Sequence, residues 1–379
     1  MNDSEAQSIP LIPDAAPSHD HQAPRSSRSG GLLIGDGPLP ITLTSRGATQ
    51  RNRRRGVWMG AAAALGLIGV VVLVWLLKPW APRGFTEVRM PNRGNIPIGI
   101  AAARDGTIWF TMENAIGRLR GSAIEQVPRR TPDVEPLGLA VHADGTIWYT
   151  DAPLRAIARL SPNGQTQIFP LDTSIARLGR LAIAPDGAVW FAEPSTVSVT
   201  RLKDGAFTRF AVGPPSLMGE GNVAPFGVAV DTQGMVWATL QNANQLVRIA
   251  PTGEMAVFDV PTPRSGLGDV AVDVGGAVWF LELSANKIGR FAGGRFQEFA
   301  VPTPSAGLIA IAAAPDGAVW FTQLRGHKLG RIHQGVITEF PLPRPDARPF
   351  GLAVDVANNV WYTDLSGWVG RLAASRARG

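Results

Sequence analysis

From residue 84 onward the chain alternates short apolar runs with polar turns, and the same alternation returns seven times. Each copy opens on a small, apolar stretch of the form Gly-Leu-Ala-Val, passes a turn such as Asp-Gly, and ends on Val-Trp-Phe-Thr. The copies at 138–150 and 180–192 are the clearest. The tryptophans Trp109, Trp148, Trp190, Trp237, Trp279, Trp320 and Trp361 mark the copies, at intervals of 39, 42, 47, 42, 41 and 41 residues. A repeat of about 40–45 residues with strand-length apolar runs is the signature of a β-propeller blade.

Each copy reads as four strands. The first is small and apolar, suited to the crowded centre. Asp144-Gly145, Asp186-Gly187 and Asp316-Gly317 are tight-turn signals leading to the second strand, which carries the tryptophan. The third strand is Ile-Gly-Arg-Leu-like, as at 116–119, 288–291 and 329–332. The fourth is Thr-Glu-Phe-Pro-Leu-Pro-like, as at 297–302 and 338–343, and its trailing prolines suit an outer edge. After Trp361 the last copy has a third strand, 368–372, and no fourth. A segment of fourth-strand type instead precedes the first copy, Phe85-Thr86-Glu87-Val88-Arg89-Met90-Pro91. The expectation is an all-β, seven-bladed β-propeller over 84–373 with four-stranded blades, closed by pairing of its N- and C-terminal strands. Closure of this kind leaves no free sheet edge between first and last blade.

Outside the repeats the pattern changes. Residues 1–55 are rich in Ser, Pro, Asp and Gly, and predict a disordered tail with a basic end. Residues 57–77 carry no charge over 21 positions, enough for a helix of about 31 Å to cross a bilayer core of ~30 Å. Trp58, Trp75 and Trp80 flank the run. Arg46, Arg51, Arg53, Arg54 and Arg55 precede it, whereas Lys78 and Arg83 follow. That asymmetry predicts a single transmembrane helix over 56–78, with the tail cytoplasmic, a linker at 79–83, and the propeller periplasmic or extracellular. Residues 374–379 are read as a C-terminal tail. A cleavable signal peptide would have a shorter apolar core and a small-residue cleavage site.

Composition adds little beyond limits. There is no cysteine, which excludes disulfides and thiolate metal sites. The net charge of +6 is modest and gathers before the apolar run, and no basic stripe interleaved with aromatics points to nucleic acid. Arg118, Arg159, Arg201, Arg248, Arg290, Arg331 and Arg371 recur on the third strands, and a structural ladder with carboxylates accounts for seven copies better than chemistry does. Three positions after most tryptophans stands an acidic or polar residue: Asp151, Glu193, Glu282, Gln323 and Asp364, with Met112 and Leu240 breaking the series. Ending their strands on the face where first strands begin, they are candidates to rim the central mouth and bind a ligand or a hard cation. The long loop 213–225 reaches the same face and adds Met218 and Glu220 as ligand candidates. His142, His327 and His333 read as turn residues, and His19 and His21 fall in the tail.

The motifs Pro-x-Gly-Leu-Ala, Asp-Gly-x-Val-Trp-Phe-Thr-Glu, Asn-Lys-Ile-Gly-Arg and Thr-Glu-Phe-x-Leu-Pro, clearest at 276–302 and 315–343, resemble the virginiamycin B lyase (streptogramin lyase) family across 84–373. The resemblance implies a seven-bladed propeller. It also implies, for lyases, opening of a cyclic depsipeptide antibiotic by elimination at an ester, with a histidine base, a nearby glutamate and a magnesium ion at the mouth. In such lyases the histidines follow the proline at the head of a first strand. The matching positions are Ile98, Leu137, Gly179, Phe226, Gly268, Ile309 and Phe350, and none is histidine. In Ala347-Arg348-Pro349-Phe350, phenylalanine stands in a histidine setting, which makes Phe350 a ligand-contact candidate. The glutamate setting is matched by Trp109-Phe110-Thr111-Met112-Glu113, making Glu113 the candidate catalytic acid.

Three functions follow as expectations. The leading one is a membrane-anchored, lyase-like propeller that binds a small-molecule or envelope ligand at its mouth without lyase chemistry. The alternative is an active carbon–oxygen lyase, or a metal-dependent lactone hydrolase, with Glu113, Asp151, Glu193, Glu282 and Asp364 as metal candidates and magnesium as the ion the resemblance implies. The third is a structural envelope protein working through its tail.

Overall fold

The computed structural model describes residues 84–92, 94–129, 132–133, 136–172, 178–213 and 224–377. The tail 1–55, the helix expected over 56–78 and the linker 79–83 lie outside them. Among the described residues no helix is long and apolar enough to cross a membrane.

The described residues form seven four-stranded antiparallel sheets. Blades one to six cover 100–128, 139–170, 181–211, 225–259, 267–300 and 308–341. Blade seven takes three strands from 349–372 and its fourth from Phe85–Arg89, which pairs antiparallel with Trp368–Leu372. First strands of neighbouring blades lie side by side around the whole ring, blade seven against blade one included. Met90 N–H to Gly367 O and Ala373 N–H to Gly84 O extend the terminal pairing at either end. The segment read as a tail begins with a helical turn, Ala374–Ala377, whose Ala377 is buried against Leu372 and Phe85.

The repeat sequence explains the blade. The Asp-Gly turns between first and second strands place their glycine at positive φ (+85° at Gly145), and the aspartate accepts from the backbone two residues on, as Asp144 Oδ1 does from Thr146 N–H at 2.8 Å. The tryptophan then sits directly opposite the third-strand arginine in each of the seven sheets, as Trp279 does Arg290. In six of these pairs the guanidinium lies over the indole, 5.5–6.0 Å from the ring centre. Fourth-strand phenylalanines pack on the same indoles, as Phe340 on Trp320. The expected arginine–carboxylate ladder is therefore mainly an arginine–tryptophan stack. Carboxylates add to it at turn aspartates such as Asp186, 2.8 Å from Arg201, and at the fourth-strand Glu125, which pairs with Arg118.

One residue further along, a second-strand aromatic lies across the third-strand glycine: Phe110 on Gly117, Phe280 on Gly289, Phe321 on Gly330 and Tyr362 on Gly370. A Cβ at Gly330 would stand 2.1 Å from the Phe321 ring, so the glycine makes room for the ring. Where the ring shrinks, the partner grows, as in Ala238 opposite Val247. Among the described residues, seven hydrophobic clusters lie one at each junction between neighbouring blades. The propeller core is thus distributed between blades rather than at the axis.

Gly330→Ala should lower the unfolding free energy by about 1–3 kcal/mol or more, because Phe321 is fully buried and cannot step aside. The companion change Phe321→Ala with Gly330→Val, copying blade four, should recover part of it. Chemical denaturation followed by tryptophan fluorescence measures both.

Candidate functional site

The mouth is the end of the ring where first strands begin, second strands finish, and the segments leaving the fourth strands cross to the next blade. Adjacent residues of a strand face opposite sides. At the end of each second strand, threonine and acid therefore separate. The threonine faces the following blade and the acid faces the exit segment of the preceding one.

The threonines make a ring of clasps. Thr111 donates to Pro136 O, Thr239 to Gly268 O at 2.6 Å, Thr322 to Phe350 O at 3.1 Å, and Thr363 to Ile98 O at 2.7 Å. Each clasp joins one blade to the next, and Thr363 joins blade seven to blade one. The same oxygens accept the N–H of their own first strand, as Thr363 does from Gly351 at 2.7 Å. Close approach requires glycine there. A Cβ on Gly351 would meet Ile98 O at 2.3 Å.

Blades three and five depart from this plan together. Ala192 and Leu281 replace the threonine, and Arg180 and Asp269 occupy the glycine column, each with a glycine just before it. The two side chains meet past blade four, Arg180 Nη2 to Asp269 Oδ2 at 3.5 Å, with 13% and 10% of their side chains exposed. Arg180 also reaches Leu137 O of blade two at 3.5 Å, and its backbone N–H bonds Phe226 O of blade four at 3.2 Å. Asp269 accepts from Ile311 N–H of blade six at 3.4 Å. Burial raises the Asp269 carboxyl above its ordinary range, against the pull of Arg180. This pair escapes a reading of consensus repeats. Its signal is a charge in a column that is otherwise Gly99, Gly138, Gly227, Ala310 and Gly351.

Around the pair stand the heads of the first strands. Ile98, Leu137, Phe226, Ile309 and Phe350 are each partly exposed, so the mouth presents large apolar side chains from five blades, while Gly179 and Gly268 are buried, packed against Phe226 O and the Leu283 side chain. Phe350 thus lies at the mouth.

The acids singled out in the sequence are brought to this end of the ring, but as buried ties rather than a convergent cluster. Asp151 lies 3.3 Å from Arg129 of blade one's exit, which is also 3.0 Å from Asp133. Desolvation pushes the Asp151 carboxyl up, and Arg129 opposes it. Glu193 accepts Arg209 Nε–H at 3.0 Å and the Thr200 hydroxyl at 2.8 Å. Asp364 accepts from Arg344 Nη2 at 2.6 Å and from Arg348 N–H at 3.0 Å. Gln323 donates to Glu339 at 3.1 Å. Glu282 is buried with neither oxygen hydrogen-bonded. Glu113 is exposed on the turn after Met112. Met218 and Glu220 lie outside the described residues. Strand alternation puts Asp151, Glu193 and Asp364 onto arginines of fourth strands and exit segments, whereas Glu282 has no hydrogen-bonded cation and Gln323 bonds an acid. Among the described residues no three His, Asp or Glu side chains group as metal ligands, so the described acids do not by themselves form the magnesium site that the resemblance implies.

Of the histidines, His142 pairs with Asp144 at an Asp-Gly turn, at the far end of the ring. His327 sits at the mouth end, and its Nδ1 is hydrogen-bonded to Ala347 O. It fills the place of Asn244 and Asn286, whose amides bind the exit segments of blades four and five.

Comparison with known proteins agrees with this architecture. Residues 122–377 match the model of the virginiamycin B lyase family. A virginiamycin B lyase of Nocardia farcinica (strain IFM 10152) is 34% identical over 196 residues, 51% of this chain and 65% of that protein, less than two thirds of the relative's length. Among solved structures, a catalytically inactive virginiamycin B lyase from Staphylococcus aureus with quinupristin superposes with a TM-score of 0.71 and 26% identity. It covers 76% of this chain and 98% of its own. A streptogramin B lyase structure gives 0.71 and 27%, covering 77% and 99%.

Arg180→Met should cost about 3–5 kcal/mol, because it leaves Asp269 buried without its cation. Adding Asp269→Asn should restore much of the loss. Urea unfolding of the three variants provides the comparison.

Proposed function

The chain belongs to the virginiamycin B lyase family, and on that premise we propose that it binds an amphipathic, depsipeptide-like ligand at the propeller mouth without opening it. In this reading residues 56–78 anchor the propeller in a membrane, outside the cytoplasm. The observation that carries the reading is the set of first-strand heads. Ile98, Leu137, Gly179, Phe226, Gly268, Ile309 and Phe350 supply no imidazole, and the mouth-end His327 is committed to Ala347 O. Elimination needs a base within hydrogen-bond reach of the departing proton. Phenylalanine and isoleucine offer apolar surface instead.

The same residues suit binding. Phe226 and Phe350 are partly exposed aromatics that would cover an apolar ring of the ligand. Arg180 and Asp269, each slightly exposed, set a donor and an acceptor side by side, as an amide requires. The solved relative with quinupristin supports this choice of ligand class. Glu113 would then be a surface residue at the rim rather than a catalytic acid.

Calorimetry with quinupristin, paired with mass spectrometry of the recovered compound, tests the proposal on the full chain. Binding without linearisation is expected, with affinity lowered about tenfold or more in Phe350→Ala, from the apolar area lost. Linearisation abolished by Glu113→Gln would establish the enzyme reading instead. The anchor predicts that the chain sediments with membranes and resists salt extraction, and that deletion of 56–78 releases it. A full chain recovered in the soluble fraction would refute the anchor.

A further inference from the structure

Blades five and six carry nearly the same polar seam at the mouth end, and differ at one atom type. In blade six, Lys328 Nζ donates to Glu339 at 2.7 Å. Thr303, from the exit of blade five, donates its N–H and its hydroxyl to the same carboxylate at 3.1 and 2.8 Å. Gln323 completes the set through its side-chain N–H. In blade five, Lys287 takes the place of Lys328 at 2.8 Å from Glu298, and Thr262 that of Thr303 at 3.0 and 2.6 Å. The residue in the place of Gln323 is Glu282.

That substitution removes a donor from a closed site. Glu282 is fully buried, and neither of its oxygens has a hydrogen-bond partner. The charged groups acting on it are Glu298 of the fourth strand and Lys287 of the third. Lys287 is already shared between Glu298 and the Thr262 hydroxyl. On the first-strand side its register partner is Leu267, which is neutral. An ionised Glu282 would thus place an unsolvated carboxylate beside a second one. A protonated carboxyl has one O–H, which does what the amide of glutamine does.

We propose that Glu282 carries a proton in the folded chain, which removes its charge from beside Glu298, so that the seam between blades four and five is a proton-operated latch at the mouth. The electrostatics agree with the geometry. Burial first, and the Glu298 charge second, push the Glu282 carboxyl up to about 7, while Lys287 opposes them. Burial acts on Glu298 in the same direction, but Lys287 and Thr262 outweigh it and hold that carboxyl below its ordinary range. Of the two, Glu282 therefore keeps the proton.

The folded chain binds this proton more tightly than the unfolded chain does. The stability it contributes is complete below the ordinary glutamate range near 4.5, and is lost as pH rises from there through about 7. The loss is felt at the mouth. Thr262 begins the segment that runs through Ser265 to Leu267, the first strand that carries Asp269. The latch is independent of what the mouth binds.

The test is the melting temperature of the full chain from pH 5 to 9, read by tryptophan fluorescence, with infrared detection of protonated carboxyl groups. The native chain should lose on the order of 5 °C between pH 5 and 8 from this group, and a carboxyl band should disappear near pH 7. Glu282→Gln should flatten the profile and remove that group's share of the band. Gln323→Glu should install a second latch in blade six and steepen the profile. An unchanged profile in both variants, or a carboxyl band near pH 7 that loses no intensity in Glu282→Gln beyond the share of the buried Asp151 and Asp269, would overturn the proposal. So would a magnesium- or calcium-dependent rise in melting temperature seen in the native chain and lost in Glu282→Gln, since the two acids would then share a metal ion. Should Glu282→Gln fail to fold, the band in the native chain and the Gln323→Glu profile still decide.

Discussion

The clasp between a second-strand threonine and a carbonyl of the next blade sets the dimensions of the centre. A propeller has no axial core, so its blades must register against one another at their inner edges. The threonine oxygen does this twice over, accepting from its own blade and donating to the neighbour. Because both partners are backbone, the clasp fixes position regardless of which side chains surround it. Where it is missing, in blades three and five, Arg180 and Asp269 contact neighbouring backbones at the same level. The described junctions are thus held by two chemistries, one neutral and seen at four of them, one charged and used once.

Strand alternation couples the clasps to the seams. The residue after the threonine faces backward, and in most blades it is an acid that needs a cation. The cations differ from seam to seam: Arg129 from an exit segment, Arg209 from a fourth strand, Arg344 from an exit again. Charge balance is conserved while its sources move. Blade five is the exception, where the cation Lys287 serves Glu298 and leaves Glu282 to a proton.

Much of the blade was legible in the sequence because it depends on local, repeated chemistry. The tryptophan interval, the Asp-Gly turns and the displaced fourth strand at Phe85 are visible without structure. Gly117 and Gly330 were visible as part of a motif, although their reason, a ring lying across the strand, needs the register. The role of the arginines was misread for the same cause. Acids do pair with Arg118, Arg201 and Arg331, but the partner shared by the series is the tryptophan directly opposite, and only the pairing of second and third strands reveals it. The site was less legible. Asp151 and Asp364 were found, but their partners lie some twenty residues away in exit segments without a shared motif. Arg180 and Asp269 were hidden by being exceptions, since a consensus discards the copies that break it.

The charged pair across blade four also bears on how such a chain can change its length. Tandem repeats tend to gain or lose units through misaligned recombination, and a ring of interchangeable blades would tolerate the exchange of one for another. Here two units are marked by opposite charges whose partner stands two places along the ring. Removing or doubling the unit between them would strand a guanidinium and a carboxylate in a nearly dry interior. The order of modules is thereby marked electrostatically at the narrowest part of the ring.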